Sequence, residues 1–169
     1  TYDWDDIIRH VPDANATTAT AQNSGRQTGQ GFESELIWQA TYDLQLRANY
    51  AYVDTEDQDT DQVAADVPGS QIFASINWRS ANQWNVNAEL HRIMNRQRAI
   101  QDMRSDIADY NLVHISLRHH SPQRRWVTAL SIRNAFNEDA REPAPWSNPA
   151  ASIPNDLPLP GRTYRVELS

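Results

Sequence analysis

Leu44-Gln-Leu-Arg-Ala-Asn-Tyr-Ala-Tyr-Val-Asp54 alternates without a break, with Leu44, Leu46, Ala48, Tyr50 and Tyr52 on one parity and Gln45, Arg47 and Asn49 on the other. Successive side chains of a strand point to opposite faces, so the stretch is a strand with one apolar and one polar side. The segment before it repeats the pattern: Phe32, Leu36, Trp38 and Ala40 oppose Glu33, Glu35 and Gln39, across a tight turn at Tyr42-Asp43. After it, Ile72, Ala74, Ile76 and Trp78 oppose Gln71, Ser75, Asn77 and Arg79; Trp84, Val86, Ala88 and Leu90 oppose Asn85, Asn87, Glu89 and His91. Val113, Ile115 and Leu117 oppose His114, Ser116 and Arg118. The last third closes the series. From Trp126 to Asn137, Thr128, Leu130, Ile132 and Phe136 share one face with Ala129, Ser131 and Arg133 opposite, and from Pro160 to Ser169, Tyr164, Val166 and Leu168 oppose Thr163, Arg165, Glu167 and Ser169.

The amino-terminal part is less regular. Thr1 to Val11 reads as one strand, with Tyr2, Trp4 and Ile8 on one parity and Asp3 and Asp5 on the other, followed by a polar loop from Pro12 to Thr20. Ala21 to Ala40 reads as one long strand, whose glycines at 25, 29 and 31 suit a twist, a bulge or a close backbone approach. The total is about eight strands of roughly ten residues, the length that crosses a thin apolar layer when tilted.

Short connections at 42–43, 80–83 and 121–125 alternate with longer ones at about 12–20, 55–66, 99–108 and 142–158. Barrels of the outer-membrane type place short turns on the periplasmic side and long loops outside. Trp38, Trp78, Trp84 and Trp126 all lie beside the short turns and on the apolar parity, as an interfacial girdle requires; Tyr50, Tyr52, Phe32 and Phe136 lie towards the other ends and suit a second girdle. The stretch 99–108 reads as a polar loop, with a short helix from Ile100 to Ile107 as the alternative.

Composition agrees with this pattern. The 169 residues carry 22 Asp and Glu against 15 Lys and Arg, a net charge of −7, no cysteine, and six Trp and six Tyr beside three Phe. Mean hydropathy is −0.74, and no apolar run approaches the ~18 residues of a membrane helix, which excludes helical spans but not strands. Disulfides and thiolate metal sites are impossible, and an acidic balance argues against nucleic acid as a partner. The first residues already alternate, so the whole chain, 1–169, reads as a fragment of something longer.

A penultimate strand ending Arg133-Asn-Ala-Phe-Asn137, a long loop, and a final strand opened by Pro160-Gly161-Arg162 resemble the carboxy-terminal end of a TonB-dependent outer-membrane receptor. So do Gly31-Phe-Glu-Ser-Glu35, preceded by Asn23 and Gly25, and the Tyr50-Ala-Tyr-Val-Asp54 strand end. The resemblance implies an all-β fold, an antiparallel transmembrane β-barrel segment forming about the last eight strands of a 22-stranded barrel whose plug lies elsewhere. It implies a receptor that captures a scarce ligand at the cell surface, a ferric siderophore as the family's commonest cargo, and imports it with energy delivered by the TonB-ExbB-ExbD complex through the plug. The implied partners are the receptor's own plug and remaining strands, outer-membrane lipid and the small-molecule ligand. No enzymatic role, catalytic residue, metal site or cofactor is implied. Strands that dock on the assembly machinery of such barrels usually end in an aromatic residue, so a few further residues are expected beyond Ser169.

Asp54-Thr-Glu-Asp-Gln-Asp-Thr-Asp61 lacks the glycine and the final glutamate of a calcium loop and reads as a solvated external loop. His91, His114, His119 and His120 have no metal-ligand spacing. Glu33 and Glu35 share a face, but pairing with Arg47 on the next strand accounts for them better than acid–base work. With Arg133, Arg165 and Glu167 they are expected to face the lumen and the plug. Asp57, Asp59, Asp61, Arg96, Arg98 and Trp146, in loops 54–66, 96–108 and 142–158, are the candidate ligand-facing residues, Trp146 by stacking on a sugar or catechol ring, with packing among the loop prolines as its simpler role. Two other readings stay open on the residues: a self-contained barrel of about eight strands with a structural or adhesion role, and a soluble all-β carbohydrate-binding module.

Overall fold

The computed structural model describes residues 1–12, 18–23, 25–59, 62–63, 67–98, 102–121, 125–144 and 155–169. The strands are β1 (Tyr2–Asp5), β2 (Ile8–Pro12), β3 (Ala19–Asn23), β4 (Arg26–Thr41), β5 (Leu44–Asp57), β6 (Gln62–Val63), β7 (Pro68–Arg79), β8 (Trp84–Arg96), β9 (Tyr110–His120), β10 (Val127–Arg133), β11 (Arg141–Glu142), β12 (Leu157–Pro158) and β13 (Thr163–Leu168). Eight of them form one antiparallel sheet in the order β1-β4-β5-β7-β8-β9-β10-β13, with β6 folded back on β5. Each strand pairs with the next wall strand in the chain, which is the path of an up-and-down meander. No helix occurs among the described residues, so the helical alternative for 100–107 is not adopted at 102–107.

Registers confirm the two faces. One row across the sheet reads Leu36↔Ala48↔Ala74↔Leu90↔Val113, and the next towards the short turns reads Trp38↔Leu46↔Ile76↔Ala88↔Ile115↔Ile132↔Tyr164. Between them lies a row on the polar face in which Arg47, Ser75, Glu89 and His114 pair in register, with Ile37 at its β4 end. Because a one-residue slip would turn every side chain over, agreement across this many strands means the alternation itself holds the register. Ala40 falls at the register shift between Gln39 and Thr41.

The amino-terminal hairpin departs from the expectation of two unbroken strands. Thr1–Val11 divides into β1 and β2, and Ala21–Ala40 into β3 and β4, with β2 and β3 forming a separate two-stranded sheet. The reason is local: Asp6 takes φ 59° and Gly25 φ 104°, left-handed conformations that interrupt both ladders at the same level. The register is nevertheless the same on both sides of the break, and Ile7 N donates to Gly25 O at 3.3 Å across it. Tyr2 pairs with Gly29 and Trp4 with Gln27, so both aromatics stand on the polar face.

Loop boundaries also differ. The acidic stretch 54–66 is partly strand, since β5 runs to Asp57 and pairs with β6. The Pro-rich excursion is pinched at its base by β11 and β12, Arg141 opposite Pro158 and Glu142 opposite Leu157. The strand expected to reach Asn137 stops at Arg133, because Asn134 and Asn137 adopt φ 48° and 56°. Phe136 is left 75% exposed in the turn.

Gly31 marks the tightest approach in the wall. A Cβ there would lie 2.2 Å from the Tyr52 carbonyl oxygen, a backbone atom that cannot move without breaking the β4–β5 ladder. Gly31→Ala is therefore expected to destabilise the protein by about 1–3 kcal/mol. A urea unfolding titration of the detergent-folded protein checks this, and an unchanged midpoint would show that the ladder yields freely.

Candidate ligand-capture face

Four of the five buried apolar residues among the described ones collect at one end of the sheet, the fifth being Ala129 inside β10. Ile107, Ala140, Ala144 and Tyr110 are all buried, and all lie at the long-loop end, whereas apolar wall residues such as Leu36, Trp38 and Val166 are 62%, 56% and 73% exposed. The packed core of the chain is therefore a loop cluster, and the wall keeps an open apolar side.

Arg96, the last residue of β8, is the centre of that cluster. Its side chain is only 1% exposed; Nη1 donates to Arg141 O at 2.7 Å and to Glu142 Oε2 at 3.1 Å, and Nη2 donates to Ala108 O at 2.6 Å. The guanidinium stacks 4.7 Å from the Tyr110 ring centre, and the Tyr110 hydroxyl donates to Glu142 Oε1 at 2.6 Å. A planar fork of donors suits this set of acceptors, which an ammonium group would not reach together. Arg96 Nε is buried without a hydrogen-bond partner.

A second group of charges continues outward. Arg98 Nη1 donates to Asp156 Oδ1 at 2.8 Å and Nε to Ser105 O at 2.7 Å; Arg104 Nη2 donates to Asp102 Oδ2 at 2.6 Å and to Ala144 O at 2.8 Å. Connection 97–109 and connection 142–158 are thus tied to each other by charge-assisted bonds at several points. Arg104 and Arg98 hold the Asp102 carboxyl down at about 2, against an ordinary 3.8, with the Arg104 hydrogen bond the main cause. Arg98 likewise lowers Asp156. A lowered carboxylate contributes stability that is fully present above its unfolded value and is lost as pH falls towards its folded value. The loop cluster is expected to stay closed from neutral pH to about pH 4 and to open between about pH 4 and 2. Hydrogen exchange in 102–109 and 141–144, corrected for intrinsic rates, checks this; Asp102→Asn should remove most of the pH dependence.

The carboxy-terminal turn is held by Asn134, which is 3% exposed. Its Nδ2 donates to Glu138 O and Pro160 O at 2.9 and 3.2 Å, its Oδ1 accepts from Glu138 N at 2.8 Å, and its backbone N donates to His114 Nδ1 at 3.1 Å. Asn137 Oδ1 accepts from Arg162 N at 3.0 Å. These two asparagines join the start of the loop to its return. Their part was not foreseen from the sequence, although asparagine is a residue that tolerates the left-handed region and bonds its own backbone.

The other expected site residues fall as follows. Arg96 and Arg98 are committed to intramolecular partners at the base of the loops. Asp59 is exposed, and Asp57 Oδ1 accepts from Asp59 N at 3.0 Å. Asp61 and Trp146 lie outside the described residues. On the polar face Arg47 forms an ion pair with Glu35, and Arg165 one with Glu167 on its own strand. Glu33 pairs in register with Ala51 and Arg133 with Thr163, both on that same face. Trp38, Trp78 and Trp84 stand on the apolar face, with Tyr50 and Tyr52 four and more residues further from the short turns; Trp126 immediately precedes β10. Phe32 contacts Tyr50 and Tyr52 with ring centres 5.6 and 6.0 Å apart. Phe73, His91 and His114 form a ring ladder on the polar face at 4.9 and 5.5 Å. Among the described residues no three His, Asp or Glu side chains converge as a metal site.

An antiparallel meander with one apolar and one polar face, short turns at one end and a knit loop cluster at the other, defines wall strands of a membrane β-barrel. The family model for "TonB dependent receptor-like, beta-barrel" matches residues 2–135, and the chain belongs to that family. No curated protein matches it by sequence. Solved structures with the same fold include the copper transporter OprC (TM-score 0.71, 15% identity), covering 98% of this chain and 28% of that one. The FrpB iron transporter from Neisseria meningitidis has a TM-score of 0.69 at 14% identity, over 98% of this chain and 27% of that one. The ferric-catecholate import receptor Fiu from E. coli K12 has a TM-score of 0.70 at 15% identity, over 98% of this chain and 23% of that one. The chain thus spans about a quarter of the length of these proteins.

Proposed function

We propose that the chain is the carboxy-terminal part of the barrel of an outer-membrane active-transport receptor, with no catalytic role of its own. The observation that carries this reading is the division of one continuous sheet into an apolar and a polar face, capped at the long-loop end by a cross-braced loop cluster, in a chain of this family. The apolar face meets outer-membrane lipid. The polar face, with Glu33, Glu35, Arg47, Arg133, Arg165 and Glu167, meets a plug contributed by another part of the polypeptide. Through that plug the TonB-ExbB-ExbD complex supplies the energy for import.

Cargo is a metal chelate, a ferric siderophore first, in keeping with the iron and ferric-catecholate proteins among the structural neighbours. Asp57, Asp59, Asp61 and Trp146 would contact it, and Arg96 and Arg98 would hold the loops that present them. Copper is the second reading, because a copper transporter shares the fold to the same degree.

Uptake of radioactive iron presented as a ferric catecholate, by cells with and without the gene, tests the first reading. Uptake that disappears with the gene and on dissipating the proton-motive force supports it. Unchanged iron uptake with a loss of copper accumulation would replace it by the second.

A further inference from the structure

The apolar face is interrupted at one level by a single fixed charge. Ser34, Tyr50, Ile72, Arg92 and Asn111 form one row across β4, β5, β7, β8 and β9. Arg92 is the one Arg, Lys, Asp or Glu among the described residues on that face between this row and the short turns. Its bonded partners are neutral: Nε donates to Met94 Sδ at 2.8 Å and Nη1 to Asn111 Oδ1 at 3.4 Å. In the same region the Tyr50 hydroxyl lies 3.4 Å from Ser70 Oγ.

Immediately on the short-turn side of this row is an open apolar depression of about 450 Å3. It is lined by the small residues Ala48, Ala74 and Ala88 together with the larger Leu36, Trp38 and Leu90. A strand rise of about 3.3 Å and a tilt of about 40° put Arg92 about 20 Å beyond Trp84 along the barrel axis. The apolar band of such barrels is about 25 Å tall, so the long Arg92 side chain reaches its outer boundary by snorkelling.

We propose that this row and the depression beneath it form a binding site for one phosphate-bearing lipid, with the phosphate on Arg92 and Asn111 and an acyl chain over Ala48, Ala74 and Ala88. Charge complementarity selects that occupant. A neutral apolar partner would leave the guanidinium without a counter-charge, whereas a phosphate accepts from its fork and from the Asn111 amide and is itself tethered at this depth. The proposal rests on the apolar face being the lipid-facing one.

The test uses the native polypeptide that carries this chain, reconstituted in vesicles of phosphatidylcholine with a minor fraction of phosphatidic acid, followed by detergent extraction and native mass spectrometry of retained lipid. Quenching of tryptophan fluorescence by brominated acyl chains, measured in parallel, reports lipid contact whatever the headgroup. Retained phosphatidic acid is expected to exceed phosphatidylcholine relative to the vesicle, and Arg92→Gln to lower that preference about fivefold. Arg92→Lys should keep part of it, and Ala74→Leu should reduce retention of both lipids by filling the depression. Equal retention by the unaltered protein, an unchanged preference in Arg92→Gln, or displacement of the lipid by millimolar inorganic phosphate would overturn the site. Absent bromine quenching would instead remove the lipid-facing assignment on which it rests.

Discussion

Replacing Arg96 with alanine is expected to release the two long connections from each other and to cost about 3 kcal/mol. The side chain is desolvated to 1% exposure and serves three acceptors on two loops, so its loss orphans Arg141 O and Ala108 O and removes the cation stacked on Tyr110. The figure lies at the lower end for a broken buried pair, because Glu142 is 40% exposed and rehydrates. Arg96→Lys should recover little, since an ammonium cannot span the same acceptors. Faster proteolysis in 102–109 and 141–144, with the sheet still folded, is the expected signature. Unchanged protection there would show that β11 and β12 alone hold the loop base.

A charge placed on the apolar face should be nearly as damaging, and its neighbour on the strand should not be. Ala88 lies four residues from Trp84, about 10 Å along the axis and near the middle of the apolar band, while Asn87 points to the other face. Ala88→Arg is expected to cost about 2–4 kcal/mol and Asn87→Arg close to nothing. Folding titrations in lipid vesicles, read by the electrophoretic shift between folded and unfolded barrel, separate the two. Equal effects would contradict the assignment of faces. The contrast with Arg92 is one of depth: the same residue type costs about 0–1 kcal/mol where it reaches the interface.

How much of this was legible before folding depended on the distance over which each feature is encoded. Two-residue alternation is a local property, and Leu44–Tyr52 or Ile72–Trp78 declares its faces without reference to any partner. The sequence therefore determined the strands, their two faces, the meander implied by short turns, and the Glu35–Arg47 pairing across adjacent strands. It also carried, in Arg133–Asn137 and Gly31–Glu35, enough local pattern to place the chain in its family.

The breaks and the loop cluster were decided only by the tertiary structure. Asp6 and Gly25 interrupt their strands together because they face each other across a hairpin, a coincidence invisible in either segment alone. Arg98 meets Asp156 across 58 residues, and Arg96 meets Glu142 across 46. By sequence these arginines are simply charges in polar loops, which solvation or ligand binding would explain equally well. What turns them into the braces of the loop end is burial, which depends on where chain segments with no local signal for each other come to lie.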